Sequence, residues 1–345
     1  MSSAKFSANC QSPVGVFIDL DGVELTTAER DLLVHPYVEG VIIFGRNIES
    51  YEQLQRLCRD IKAVNAKLVI SMDQEGGRVQ RLKAGVRRLP AAGEIASAAA
   101  QTGNDEVALA RAAGVVMAAD LKAVGVDLSF APVLDVDHGK TDVVGDRSFS
   151  ASPAKVALLA DAFRQGMASA GMQAVIKHFP GHGWANGDTH AVAAIDDREL
   201  SEIEKDMQPF TSLIREGVFG VMPAHVVYPK VDALPAGFSP FWLQTQLRGE
   251  LGFRGLIFSD DLTMEAAAAH GSYGDRALAA VSAGCNLLLA CNCREGLLAV
   301  LDALMQAKPP AFEQGGVLAL ASLPPTVSLE REVDHSKALL VAAGC

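Results

Sequence analysis

Residues 174–183 read AVIKHFPGHG: a short run suited to a buried strand, Ala174 to Lys177, passes directly into histidine, proline and glycine. An apolar run broken by Pro and Gly is how a strand covered on both faces of a parallel sheet looks in sequence. The same pattern recurs outward in both directions, at Val14 to Asp19, Val41 to Phe44, Leu68 to Met72, Val126 to Phe130, Gly220 to Ala224, Leu256 to Ser259 and Asn286 to Ala290. Between the runs lie stretches with helical spacing near 26–34, 50–65, 105–124, 153–170, 199–215, 239–250, 274–283 and 294–305. Ser152-Pro153 reads as a capping serine before proline at the first helical position, and Ser201 with Glu204 has capping-box spacing. Eight βα units without a Pro/Gly/Ser-rich linker predict an α/β chain forming a single (β/α)₈ TIM barrel, with an open doubly wound sheet as the structural alternative. The expectation is one domain over 1–345, with a barrel core of about 14–305 and a short C-terminal extension of about 306–345 packed outside as one or two helices.

The 345 residues are 49% hydrophobic and 21% charged, which supports a large core and excludes disordered or collagen-like classes. Thirty Lys and Arg against 41 Asp and Glu leave a net charge of −11, so a nucleic-acid partner would meet repulsion. No uncharged apolar stretch is long enough to span a bilayer, and the run Val14 to Ile18 is too short for a signal-peptide core; a cytoplasmic protein without a membrane partner is expected. The six cysteines are scattered and read as reduced thiols, and Cys291-Asn-Cys293 lacks a second ligand pair for a metal.

Barrel active sites lie at the C-terminal ends of the strands, and there this sequence is dense in chemistry: Asp73 to Arg78, Lys177 to Gly183, Ala224-His225 and Ser259-Asp260-Asp261. The loop KHFPGHGWANGDTH (177–190) places three histidines, a lysine and an aspartate among glycines. His178 and His182 have the i, i+4 spacing of helical metal ligands, but Pro180 and the glycines argue against a helix. Asp188 and His190, two apart, form a carboxylate–imidazole pair suited to proton transfer. Alternation sends one of Asp260 and Asp261 toward the barrel mouth, where it is a candidate nucleophile; capping of the turn after it is the structural reading for Asp261. Asp73, Arg81, Arg147, Lys177 and His178 supply donors and acceptors for a polyhydroxylated ligand, with a structural pair between Arg147 and Asp146 or Asp142 as the alternative for the second arginine.

The strings MDQEGGRVQRL (72–82), FAPVLDVD (130–137), GDRSFS (145–150), KHFPGHG followed by DTH (177–190), VMPAH (221–225) and FSDDLTM (258–264) resemble glycoside hydrolase family 3, and within it the bacterial cytoplasmic β-N-acetylglucosaminidases of the NagZ type. The resemblance covers about residues 14–300. It implies a retaining mechanism without metal or cofactor, with Asp260 as nucleophile, His190 as acid/base, Asp188 as its dyad partner, and Asp73, Arg81, Arg147, Lys177 and His178 binding the terminal N-acetylglucosamine. Thr189 stands where the family commonly has serine, and the proline often found after the histidine is absent from AVAAID (191–196).

What the resemblance further implies is an exo-acting enzyme releasing β-1,4-linked N-acetylglucosamine from N-acetylglucosaminyl-1,6-anhydro-N-acetylmuramoyl peptides in peptidoglycan recycling, hence a link to cell-wall biogenesis, cell shape and cell division. A monomer is expected, with a small muropeptide as its partner. The glycines at 181, 183 and 187 supply hinge freedom, so residues 181–190 should be less ordered than the strands, with His190 away from Asp260 before substrate binds. A phosphorylase of the same family is one alternative, since an imidazole tolerates a phosphate acceptor; a metal-dependent barrel hydrolase using His178, His182, His190 and an aspartate is another.

Overall fold

The computed structural model describes residues 12–185, 194–264, 267 and 271–345. Eight parallel strands, β1 (Gly15–Asp19), β2 (Val38–Ile43), β3 (Val69–Met72), β4 (Leu128–Ser129), β5 (Val175–Phe179), β6 (Gly220–Pro223), β7 (Leu256–Asp261) and β8 (Leu287–Ala290), follow one another around a barrel. β8 pairs back onto β1, and the ring is completed between β4 and β5 by parallel bridges Ser129–Ala174 and Val133–Lys177. That is the TIM-barrel arrangement rather than an open doubly wound sheet.

Strand alternation builds two cores. Val16 and Ile18 of β1, Val41 and Ile43 of β2 and Ile257 of β7 face the surrounding helices, whereas Phe17, Ile42 and Phe258 point inward with Phe130 and Val175. Phe17, Phe130 and Phe258 meet edge to face at centroid separations of 5.6–6.2 Å. The ring of Phe17 occupies the place a side chain at Gly40 would need, since a Cβ there would lie 2.4 Å from Phe17 Cε1.

The connecting helices are α1 (Thr27–Leu32), α2 (Tyr51–Val64), α3 (Ile95–Thr102), α4 (Glu106–Val124), α5 (Pro153–Ser169), α6 (Leu200–Asp206), α7 (Gln208–Arg215), a π-helical segment Phe241–Glu250, α8 (Tyr273–Ala283) and α9 (Arg294–Ala307). The 199–215 stretch is two helices because Pro209 sits in the first turn of α7 and breaks the ladder from α6. Ser201 lies inside α6 and does not cap it; the Glu202 carboxylate accepts the Glu199 N–H instead. Ser152 holds the N-cap position of α5 with Pro153 next, as read from sequence, but its hydroxyl makes no capping bond.

The extension departs from the expectation of helices packed only outside. Ala311 bridges to Val14, Ser322 bridges to Met172, and Phe312, Val317 and Ala321, on and beside α10 (Gly316–Ala321), join the inward-facing core. Together they plug the N-terminal end of the barrel. Only α11 (Leu329–Ala342) lies on the outside, against α4, where Glu332 pairs with Arg111. Among the described residues no helix is long and apolar enough to cross a membrane.

Candidate active site

A cavity of about 820 Å³ opens at the C-terminal ends of the strands. Asp73, Arg81, Arg147, Lys177, His178 and Asp260 all line it, together with Glu75, His182 and Asp261. Asp188 and His190 lie outside the described residues, and so does most of the turn beyond Met264.

β3 and β5 deliver the charged floor. Lys177 Nζ is buried between Asp73 Oδ1 and Glu75 Oε1, each at 2.7 Å. Burial alone would lower its pKa, but Asp73 and then Glu75 reverse this and raise it, so the ammonium stays charged. Arg147 grips Glu75 with both arms of its guanidinium, Nε to Oε2 at 2.8 Å and Nη2 to Oε1 at 2.7 Å. Burial would raise the Glu75 carboxyl; Arg147 and Lys177 outweigh it and hold the group well below the usual carboxylate range. The structural partner of Arg147 is therefore Glu75, not Asp146 or Asp142: Asp146 pairs with Arg78, and the Asp142 carbonyl accepts from Arg78 too. Arg81 stands 3.9 Å from Asp73, and its buried Nε has no hydrogen-bond partner among the described residues, which leaves a donor for a bound ligand.

His178 is held from behind. Asp135, fully buried after β4, accepts from His178 Nδ1 at 2.7 Å, from the His178 N–H at 3.2 Å and from the His182 N–H at 2.8 Å. Burial would raise the Asp135 carboxyl, but His178 dominates and lowers it. The carboxylate therefore places the Nδ1 proton and leaves Nε2 for the cavity side. His178 and His182 are not successive turns of a helix; their rings meet edge to face at 5.8 Å. Among the described residues no cluster of three or more His, Cys, Asp or Glu is arranged to hold a metal ion.

β7 supplies the two aspartates. The register of β7 with β8 slips between Phe258 and Asp261, so both aspartates come to the barrel mouth and line the cavity. Burial would raise its pKa; His225, His178, the Asp261 N–H and Lys177 outweigh that and keep it below the ordinary value, hence ionised at neutral pH. The N–H of Asp261 reaches Asp260 Oδ1 at 2.8 Å. Asp261 itself caps the following turn, accepting from the Thr263 N–H and hydroxyl, and ties it to the β8 loop through Cys291 N–H and Asn292 Nδ2. Burial pushes its carboxyl up to about 6. His225, fully buried, stacks on Phe238 with its rings 8° apart and contacts the Asp261 carbonyl at 3.1 Å. A fixed, ionised carboxylate beside a rigid array of alternating charges fits attack on a saturated sugar carbon.

Glu75 and His225 stand in strand-end stretches that the sequence marks as dense in chemistry, Asp73 to Arg78 and Ala224-His225, but with no role assigned to either. Asp135, well beyond the end of β4, is not marked as a candidate at all.

The sequence model of the glycosyl hydrolase family 3 N terminal domain matches residues 15–312, the whole barrel and its cavity. The chain belongs to glycoside hydrolase family 3. Within this family it is 50% identical over 296 residues to a beta-hexosaminidase of Thioalkalivibrio sulfidiphilus, covering 86% of this chain and 85% of that relative. A crystal structure of NagZ from Neisseria gonorrhoeae in complex with N-trifluoroacetyl-D-glucosamine superposes with a TM-score of 0.85 at 38% identity, covering 97% of this chain and 99% of that one. The same Neisseria protein in complex with zinc ion superposes at 0.83, again with 38% identity, over 96% and 98% of the two chains. This family 3 member is accordingly a glycosidase of the β-N-acetylhexosaminidase kind.

Proposed function

We propose that this chain is a retaining exo-β-N-acetylglucosaminidase that removes terminal β-1,4-linked N-acetylglucosamine from 1,6-anhydro-muropeptides in peptidoglycan recycling, acting in the cytoplasm as a monomer. The observation that carries the chemistry is Asp260: an ionised carboxylate at the barrel mouth, held by its neighbour's N–H and facing the Asp73–Lys177–Glu75–Arg147 array. In this reading Asp73, Arg81, Arg147, Lys177 and His178 bind the non-reducing sugar. Asp260 attacks the anomeric carbon while His190, oriented by Asp188, gives a proton to the departing glycosidic oxygen. The resulting glycosyl ester is opened by water, whose proton His190 takes as the new C1–O bond forms and Asp260 leaves as carboxylate. The name and the bound glucosamine derivative of the Neisseria relative, with the near-complete overlap of the two chains, support the sugar assigned here.

The test is release of nitrophenol from 4-nitrophenyl β-N-acetylglucosaminide by chelator-dialysed protein, with Asp260→Asn beside it. Turnover that survives dialysis and falls roughly 10⁴-fold in the variant is expected. Activity that vanishes on dialysis and returns with zinc would replace this mechanism by a metal-dependent one, and sugar-1-phosphate formed in proportion to added phosphate would replace hydrolysis by phosphorolysis.

A further inference from the structure

Segment 186–193, which carries Asp188 and His190, begins after Trp184 and Ala185 and ends at the short strand Ala194–Ile195. Both of its roots are fixed. Upstream, Gly183 lies so close to the Val136 carbonyl that a Cβ would be 1.8 Å from the oxygen, the Gly181 carbonyl accepts the Tyr228 hydroxyl at 2.8 Å, and the Ala185 N–H reaches the His182 carbonyl at 3.2 Å. Downstream, Ala194–Ile195 pairs in parallel with Val226–Tyr228, and the Asp196 N–H bonds to the Val227 carbonyl at 3.0 Å.

The two roots meet at one ring. Arg198 returns over Trp184 with its guanidinium carbon 4.8 Å from the ring centroid. The guanidinium is itself locked between two buried carboxylates, Asp196 at 2.6 Å and Asp206 at 2.7 Å from Nη2. Asp206 also takes His138 Nε2 at 2.9 Å, and the His138 ring meets Trp184 edge-on at 5.2 Å; Lys140 Nζ stands 4.9 Å from the same indole centroid. Trp184, Arg198, Asp196, Asp206 and His138 do not line the cavity. An arginine buried between carboxylates adds little net stability against an apolar replacement, because desolvation offsets the attraction. What such an assembly supplies is geometry.

We propose that the Trp184–Arg198 contact is a positioning device for the acid/base chemistry: it joins the two described flanks between which the sequence places Asp188 and His190, and its loss impairs the proton transfers assigned to His190. The inference rests on the reading of His190 given above. Trp184 is a positioning residue, so loosening it affects the steps that move a proton at that oxygen and spares those that need none.

The experiment compares aryl β-N-acetylglucosaminides whose leaving groups range from dinitrophenol, which departs unprotonated, to phenol, which requires an acid. For Trp184→Ala, kcat/KM is expected to fall roughly 10–100-fold on the phenyl glycoside and to stay within about threefold on the dinitrophenyl glycoside. Inhibition by free N-acetylglucosamine should be unchanged. Azide should restore kcat on the dinitrophenyl substrate by displacing Asp260 from C1 as glycosyl azide, a step that needs no base. Trp184→Phe, which keeps a ring face for Arg198, should remain near wild type. Equal losses on both leaving groups, weaker N-acetylglucosamine inhibition, or no loss at all would overturn the proposal. His190→Ala separates the two ideas: a steep leaving-group dependence there with none in Trp184→Ala sinks the clamp alone, whereas no dependence in His190→Ala sinks the acid/base reading and the clamp with it.

Discussion

Asp135 touches no solvent, yet it sets the direction in which His178 can hydrogen-bond. An asparagine there keeps an oxygen for the two backbone N–H groups but turns a donor toward His178 Nδ1, forcing the opposite tautomer and reversing the donor sense of Nε2. Asp135→Asn is therefore expected to cost about 1–3 kcal/mol of ligand interaction, roughly 10–100-fold in kcat/KM, with an unchanged fold by circular dichroism. Asp135→Ala should in addition destabilise by about 3–5 kcal/mol in urea unfolding, because it leaves the His178 ring and two N–H groups without their buried acceptor. Full activity in both variants would show that His178 needs no support. The five residues proposed to bind the sugar stood out in the sequence because each lies at the end of a strand or in a loop beside glycines, and all five line the cavity. Asp135 did not, because in LDVD nothing local separates it from Asp137, whose Oδ1 merely accepts the Gly139 N–H.

At the scale of the element, strand β2 carries a flaw with a measurable consequence. Pairing with β1 slips between Val16–Val38 and Phe17–Gly40, so Glu39 is an extra residue pressed against Gly15, where a Cβ would lie 2.4 Å from its side chain. Glu39 is 5% exposed, and burial raises its carboxyl from 4.5 to about 7. A carboxyl whose pKa is higher folded than unfolded binds its proton more tightly in the fold, so stability is lost as pH rises from about 4.5 through 7. Glu39→Gln should remove that loss: about 1–2 kcal/mol more stable than wild type at pH 8, allowing for water near the end of the sheet, and indistinguishable below pH 4.5. Urea midpoints across this range would refute the account if the gain did not depend on pH. The strand was read as beginning at Val41 because its first three residues include Glu39 and Gly40, which break the apolar run; the bulge that tolerates them exists only in pairing.

The whole molecule is closed by residues far from any chemistry. Phe312, Val317 and Ala321 complete the inward core at the end of the barrel opposite the cavity. Ending the chain after Pro310 would uncover that core and strip α11 from α4, removing several buried apolar side chains worth about 1.5–3 kcal/mol each. The thermal midpoint is expected to fall by at least about 5 °C, with aggregation on expression. An unchanged midpoint would mean that the extension only rests on the barrel.

Eight short apolar runs, the helical stretches between them and the polar residues at the runs' ends were determined by the sequence itself, because strand and helix periodicities are local and a barrel's mouth follows from strand direction. Partnership was decided only in the tertiary structure. Glu75 meets Arg147 across 72 positions and Asp73 meets Lys177 across 104, while nearby Asp146 turns instead to Arg78. The helical tail became a plug because the closed ring leaves an apolar opening at its N-terminal end, which Phe312, Val317 and Ala321 fill. Such choices depend on which loops the closed ring brings together, and no window of sequence contains them.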